Sequence, residues 1–211
     1  MFLITRPNYD LPTTYLYAFS QEVVDYAHTK LVKVADLKGK KANKKTLFSY
    51  LNKRDISFVF INGHGSQRAV YGQDGELLVD GYKKCFENLI LYSRSCSSAK
   101  LLAGDMVKKG LGVFVGYKKD YIVLMSRWKE NKPRLDKMAG LFLKPSNLLA
   151  MSILKGNTVN EANKKSKKML KKNIRNVITS KMKNKASVLA YLFHDLKSQV
   201  VIGNGDLVMK S

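Results

Sequence analysis

Cysteine is scarce in this 211-residue chain: Cys85 and Cys96 are the two. They sit too close together for a useful staple, which excludes a disulfide scaffold and leads us to expect a reducing, cytoplasmic setting. No apolar run reaches the roughly 18 residues needed to span a bilayer, so no membrane partner is expected. Residues 1–6 carry neither a basic leader nor a long apolar core, and read as a short strand rather than a signal peptide. The three histidines, His28, His64 and His194, are far apart, and no cysteine spacing suits zinc. A metal site is therefore not expected. Acidic residues are few as well: 16 Asp+Glu against 38 Lys+Arg gives a net charge of +22.

What is present is globular. A hydrophobic share of 45% excludes disorder of the whole chain. The length suits one domain, 1–211, without repeat or linker. Apolar strands are predicted at 2–5, 31–37, 56–62, 89–93 and 111–115. Helices are predicted at 13–27, 46–53 and 97–109, with a helical turn at 82–87. A hairpin is expected over 68–79, turning at Gln73-Asp74-Gly75-Glu76. Beyond it, 121–125 reads as a further strand and 126–137 as a loop or small insertion. A long amphipathic helix follows at 158–180, with Val159, Ala162, Leu170, Ile174, Val177 and Ile178 inward. A last helix at 187–196 and a strand at 200–203 close the chain. Helices alternating with continuous apolar strands imply an α/β fold: a mostly parallel central sheet with helices on both faces, a three-layer sandwich.

Two segments carry candidate chemistry: Phe58-Val59-Phe60-Ile61-Asn62-Gly63-His64-Gly65-Ser66, and Leu89-Ile90-Leu91-Tyr92-Ser93-Arg94-Ser95-Cys96. Each delivers a reactive residue at the carboxyl end of an apolar strand, where open α/β sheets place ligands. A thiol with an ordinary pKa near 8.5 needs a base or a positive environment to act as a nucleophile. His64 is placed to take that proton or to give one to a leaving amine. The amides of Gly65 and Cys96 form a candidate oxyanion hole, and the helix expected after Cys96 would favour a thiolate. Taken singly, a cysteine after a strand is ordinarily a small buried hydrophobe, and a turn histidine is structural; the paired placement is what argues for chemistry. Cys85, in a helical turn, reads as packing.

The order of apolar strand, Asn62-Gly63-His64-Gly65-Ser66, hairpin, apolar strand and Ser95-Cys96-Ser97-Ser98-Ala99 resembles the caspase-like (clan CD) cysteine peptidases. That group includes caspases, metacaspases, gingipains, clostripain, legumain, separase and the bacterial CHAT proteases. The likeness covers residues 1–125, and the closing helix and strand up to Asp206 are similar to those of bacterial gingipain- and CHAT-type members. Arg94-Ser95-Cys96 replaces the Gln-Ala-Cys of caspases and the His-to-Cys separation is shorter, so the resemblance is to the wider group. It implies a cofactor-free cysteine endopeptidase acting on a protein or peptide. Cys96 would be the nucleophile and His64 the proton donor, often without a third orienting residue. It also implies that Arg94, two before the nucleophile, and Arg6, at the end of the first strand, line the pocket for the residue before the cut. Two guanidiniums there suit an acidic side chain. Asp120, after the fifth strand, stands where basic-specific relatives carry an acid. The expected pocket is thus acidic or mixed, against the plainer role of strand-end salt bridges for both arginines.

Residues 155–185 hold eleven basic residues and one acid, Glu161, a net of +10. Such a face suits phosphates or an acidic partner, and equally a solvated lysine surface. With only seven arginines and no nucleic-acid motif, base reading is poorly supplied. Two alternatives to a peptidase stay open. One is a non-catalytic scaffold that grips nucleic acid or an acidic protein through the lysine-rich helix. The other is an inactive relative that regulates an active one. For the peptidase, a small catalytic domain, recognition or regulation by a protein partner is an open expectation.

Overall fold

The computed structural model describes residues 1–80 and 88–210; the turn expected at 82–87, with Cys85, lies outside them. The elements run β1 (Phe2–Arg6), α1 (Leu11–Thr29), β2 (Val34–Lys38), α2 (Lys44–Lys53) and β3 (Phe58–Asn62). Three short strands follow, β4 (His64–Gly65), β5 (Val70–Tyr71) and β6 (Leu77–Val79), and then β7 (Ile90–Arg94), α3 (Leu102–Lys108) and β8 (Val113–Tyr117). The chain closes with α4 (Lys137–Leu154), α5 (Val159–Thr179), α6 (Lys185–Ser198) and β9 (Gln199–Gly203).

The main sheet has the order β2-β1-β3-β7-β8-β9. All pairings are parallel except β8 with β9. Because side chains alternate along a strand, the continuous apolar runs split between two cores. Phe2, Ile4, Phe58, Phe60, Ile90 and Tyr92 pack with α1, α4 and the start of α5. Leu3, Val59, Ile61 and Leu91 pack with α2, α3 and the β5–β6 hairpin. The three-layer α/β sandwich is therefore as expected. A satellite cluster joins α4, α5 and α6 through Phe142, Leu170, Ile174, Val177, Val188 and Leu192.

Several elements differ from the sequence reading. Residues 121–125 form an extended strap rather than a strand, because β9 already occupies the edge of β8. Tyr121, Val123 and Met125 instead pack on Tyr15, Leu16 and Phe19 of α1 and on α4. The helix after Cys96 starts six residues later than the cysteine, at Leu102. Ile178 is 51% exposed, with Val177 taking the inward position at the end of α5. Helix α4 went unpredicted because Pro145 interrupts it. Proline cannot donate to the carbonyl four residues back; the Leu141 oxygen accepts from Asn173 Nδ2 of α5 at 2.7 Å instead.

Arg94 ties the layers together. Its side chain is fully buried. Nε donates to Asn62 Oδ1 on β3 (2.8 Å), and Nη1 to Ser146 Oγ (3.0 Å) and Asn147 Oδ1 (2.9 Å) of α4. Nη2 donates to the Leu16 carbonyl of α1 (3.1 Å), and the guanidinium lies over the Phe60 ring. These acceptors are neutral, and burial pushes the guanidinium's pKa down. Removing a buried charge is sometimes stabilising, but truncation here orphans several buried acceptors, each costing about 1–3 kcal/mol. Arg94→Ala is expected to lower stability by about 3 kcal/mol or more in urea unfolding; a loss below about 1 kcal/mol would contradict this clamp.

Candidate active site

Strand register sets the site. In the β3–β7 pair Asn62 lies opposite Arg94. His64 and Cys96 each follow two residues later, so the two chains leave the sheet level with each other. Gly63 has φ +154, and a Cβ there would run into the Tyr71 carbonyl oxygen. At Gly65 a Cβ would strike the Cys96 carbonyl oxygen and the Ser95 side chain. Glycine at 63 thus lets the histidine-bearing turn lie against β5, and glycine at 65 lets it close onto the cysteine loop.

The cysteine loop turns through Ser97, whose φ of +54 is costly for a residue with a Cβ. The conformation is held by the Ser97 amide donating to the Lys119 carbonyl (2.9 Å) and its hydroxyl to Asp120 Oδ1 (3.0 Å). Cys96 and His64 line one crevice of about 280 Å³. Its other walls come from α1 (Pro12, Tyr15, Leu16) and from the strap (Ile122, Val123, Met125). The Cys96 thiol lies 3.8 Å from the Tyr121 carbonyl oxygen, as a donor. Burial raises its pKa, and the carboxyls of Asp120 and Asp195 add to the rise. The thiolate expected from a helix N-terminus is therefore not the resting state: no helix begins at Cys96, and the thiol is neutral at pH 7.

His64 has a partner that the sequence did not reveal. Its Nε2 lies 2.6 Å from Asp10 Oδ2. Asp10 is the N-cap of α1, and its Oδ1 accepts from the Thr13 amide (2.9 Å) and hydroxyl (2.6 Å). Burial pushes the Asp10 carboxyl up, but the Thr13 bonds and His64 outweigh it and hold the pKa low. An acid two residues before a proline is a readable helix start. Nothing local tells that its second oxygen reaches a histidine 54 positions on.

The expected pocket arginines are placed elsewhere. Arg6 is fully buried; Nε and Nη2 grip Asp36 of β2 at 2.9 and 2.8 Å, and the guanidinium lies over Tyr17. Arg94 borders the crevice, but its guanidinium points into the core, as described above. Strand-end bonding is thus the role of both arginines. Asp120 is exposed, held by Ser97, and is not among the crevice-lining residues.

Two buried carboxylates hold the strap instead. Asp136, the N-cap of α4, accepts from the Ser126 amide (2.7 Å) and hydroxyl (3.0 Å) and from Tyr15 Oη (3.0 Å). Asp195 of α6 accepts from the Ile122 amide at 3.2 Å, while its Oδ2 has no hydrogen-bond partner among the described residues. Burial pushes the Asp195 carboxyl up to about 8, against the pull of that amide. An unfolded aspartate titrates near about 3.9, so the native state holds a proton that the unfolded chain releases between those values. Stability therefore falls as pH rises from about 4 to about 8. Asp195→Asn, which keeps an acceptor for Ile122, is expected to flatten that slope and to exceed the wild type in unfolding free energy at pH 8. A slope unchanged in the variant would contradict this.

No family model matches the chain, and no curated protein does. Solved structures do match. The Arg-specific cysteine proteinase gingipain R aligns with a TM-score of 0.61 at 12% identity, covering 99% of this chain and 47% of its own. A structure described as a protease gives 0.58 at 14% identity, covering 99% and 48%. The complex of Porphyromonas gingivalis RgpB pro- and mature domains gives 0.58 at 10% identity, with the same coverage. The chain spans about half the length of these proteins. At such low identity the likeness is one of architecture: this chain has the caspase-like fold of the gingipain cysteine proteinases.

Proposed function

We propose that the chain is a cysteine endopeptidase in which Cys96 is the nucleophile, His64 the proton-transfer group and Asp10 the residue that positions His64. The observation that carries the reading is the shared crevice: a half-buried thiol and an imidazole at the carboxyl ends of adjacent parallel strands. The fold likeness to a cysteine proteinase supports it.

The chemistry follows from a neutral thiol. As Sγ bonds to the scissile carbonyl carbon, the thiol proton passes to His64 and the oxygen gains negative charge, which the Gly65 and Cys96 amides stabilise. His64 delivers a proton to the amine nitrogen, the C–N bond breaks and the amine departs. Water then attacks the thioester, releasing the acid and restoring the thiol. The Asp10 carboxylate fixes the orientation of the ring, the role of an acid behind a histidine in other hydrolases. No step calls for a cofactor. We read residues 1–211 as one catalytic domain working in a reducing cytoplasm, as the two cysteines suggest.

A second reading has its own observation. A groove between α4 and α5 is lined by Leu148, Met169, Lys165, Lys168, Lys171, Lys172 and Arg175. An acidic protein or a polyanion would complement it, as partner to a peptidase or to an inactive scaffold.

Kinetics on a peptide substrate separate the roles. Cys96→Ala is expected to abolish cleavage, and His64→Ala to lower kcat by about 10²–10⁴-fold. Asp10→Asn keeps the helix cap but removes the charge; it is expected to lower kcat about tenfold or more and to shift the pH–rate profile, with KM and thermal stability little changed. Cleavage that survives in Cys96→Ala would overturn the peptidase reading.

A further inference from the structure

The crevice beside Cys96 has a chemical character that the sequence pattern does not supply. Its side walls are Pro12, Tyr15 and Leu16 from α1, and Ile122, Val123 and Met125 from the strap. The polar side chains on it are already engaged, among them His64 with Asp10 and Ser95 with Ser93. Tyr15 Oη donates to Asp136, and Thr13 Oγ1 donates to Asp10. The guanidinium of Arg94 spends its donors on Asn62, Ser146, Asn147 and Leu16. Asp120 is outside the crevice and bonded to Ser97. Asp195 is sealed behind the strap, with 1% of its surface exposed.

We infer that this crevice is the specificity pocket of the proposed peptidase and that it takes an uncharged, apolar side chain such as Leu or Met before the cut. This rests on the peptidase reading of Cys96 and His64. A lysine or arginine entering here would find no free carboxylate, and an aspartate or glutamate no free guanidinium. Either would give up its hydration without a partner, which burial penalises heavily. An aliphatic side chain instead loses water-exposed area against the apolar walls. A volume of about 280 Å³ lies just below the range of whole-ligand sites, roughly 300–1,000 Å³, and suits one side chain with its flanking backbone.

The pocket is tested apart from turnover. Cys96→Ala protein is titrated at physiological salt with tetrapeptide amides differing only in the last residue: Leu, Met, Ala, Arg or Asp. Leu and Met are expected to bind about tenfold tighter than Ala, and about 100-fold tighter than Arg or Asp. In wild-type protein, kcat/KM on matching substrates should keep that order. Met125→Glu, on the half-exposed strap, should weaken Leu binding and strengthen Arg binding by about tenfold each. Arg or Asp ranking first, or no discrimination among the five, overturns the pocket. Arg preference that disappears in Asp195→Asn would overturn it by showing that the strap opens onto that carboxyl. The expected binding order without any cleavage by wild-type protein leaves the pocket standing and refutes the peptidase reading instead.

Discussion

The parallel pairing of β3 with β7, locked in register where Asn62 meets Arg94, governs the rest of the molecule. A slip of one residue would send every apolar side chain of a strand to the other face, and the two cores on either side of the sheet forbid it. Asn62 adds a second lock: its amide donates to the Thr5 carbonyl at 2.8 Å while its oxygen accepts from Arg94. The ends of β1, β3 and β7 are thereby fixed at one level. His64 and Cys96 emerge from those ends, and the glycine at 65 lets their loops meet. The same guanidinium reaches up to α1 and α4, which carry one wall of the crevice and the anchor of the other.

Electrostatics within this frame divide the labour among carboxyl groups. Asp10 is held ionised by Thr13 and His64, and it serves a helix cap and an imidazole at once. Asp136 is likewise held low by backbone and hydroxyl donors, despite its burial, and it closes the loop that follows the strap. Asp195 has a single amide donor and is driven toward the neutral form. The strap is thus pinned near each end, at Ile122 and Ser126, with its apolar residues turned to the crevice.

How much of this was legible in the sequence depended on whether the signal was local. The continuous apolar runs of β3 and β7 announced the sheet, and their order placed His64 and Cys96 at its adjoining strand ends. The roles of Arg6 and Arg94 were not legible as pocket or clamp. A guanidinium at a strand end reads the same in either case, and the partners that decide are Asp36 on a neighbouring strand and Ser146–Asn147 on α4. That helix was itself hidden by Pro145, whose missing donor is made good by Asn173 from another helix. The Asp10–His64 contact escaped for the same reason: capping is readable from four residues, a contact across 54 is not. The strand expected at 121–125 failed because its alternating apolar residues face a crevice wall, a pattern that periodicity cannot tell from a sheet.

The most direct test of the central claim is to locate a covalent adduct. A peptidyl acyloxymethyl ketone ending in Leu is incubated with the wild-type protein and with His64→Ala, and the modified residue is read by tandem mass spectrometry. The account predicts stoichiometric alkylation at Cys96, absent at Cys85, and strongly slowed in His64→Ala. Modification of Cys85 and Cys96 alike, at a rate indifferent to His64, would contradict a nucleophile and an imidazole that work together in one crevice.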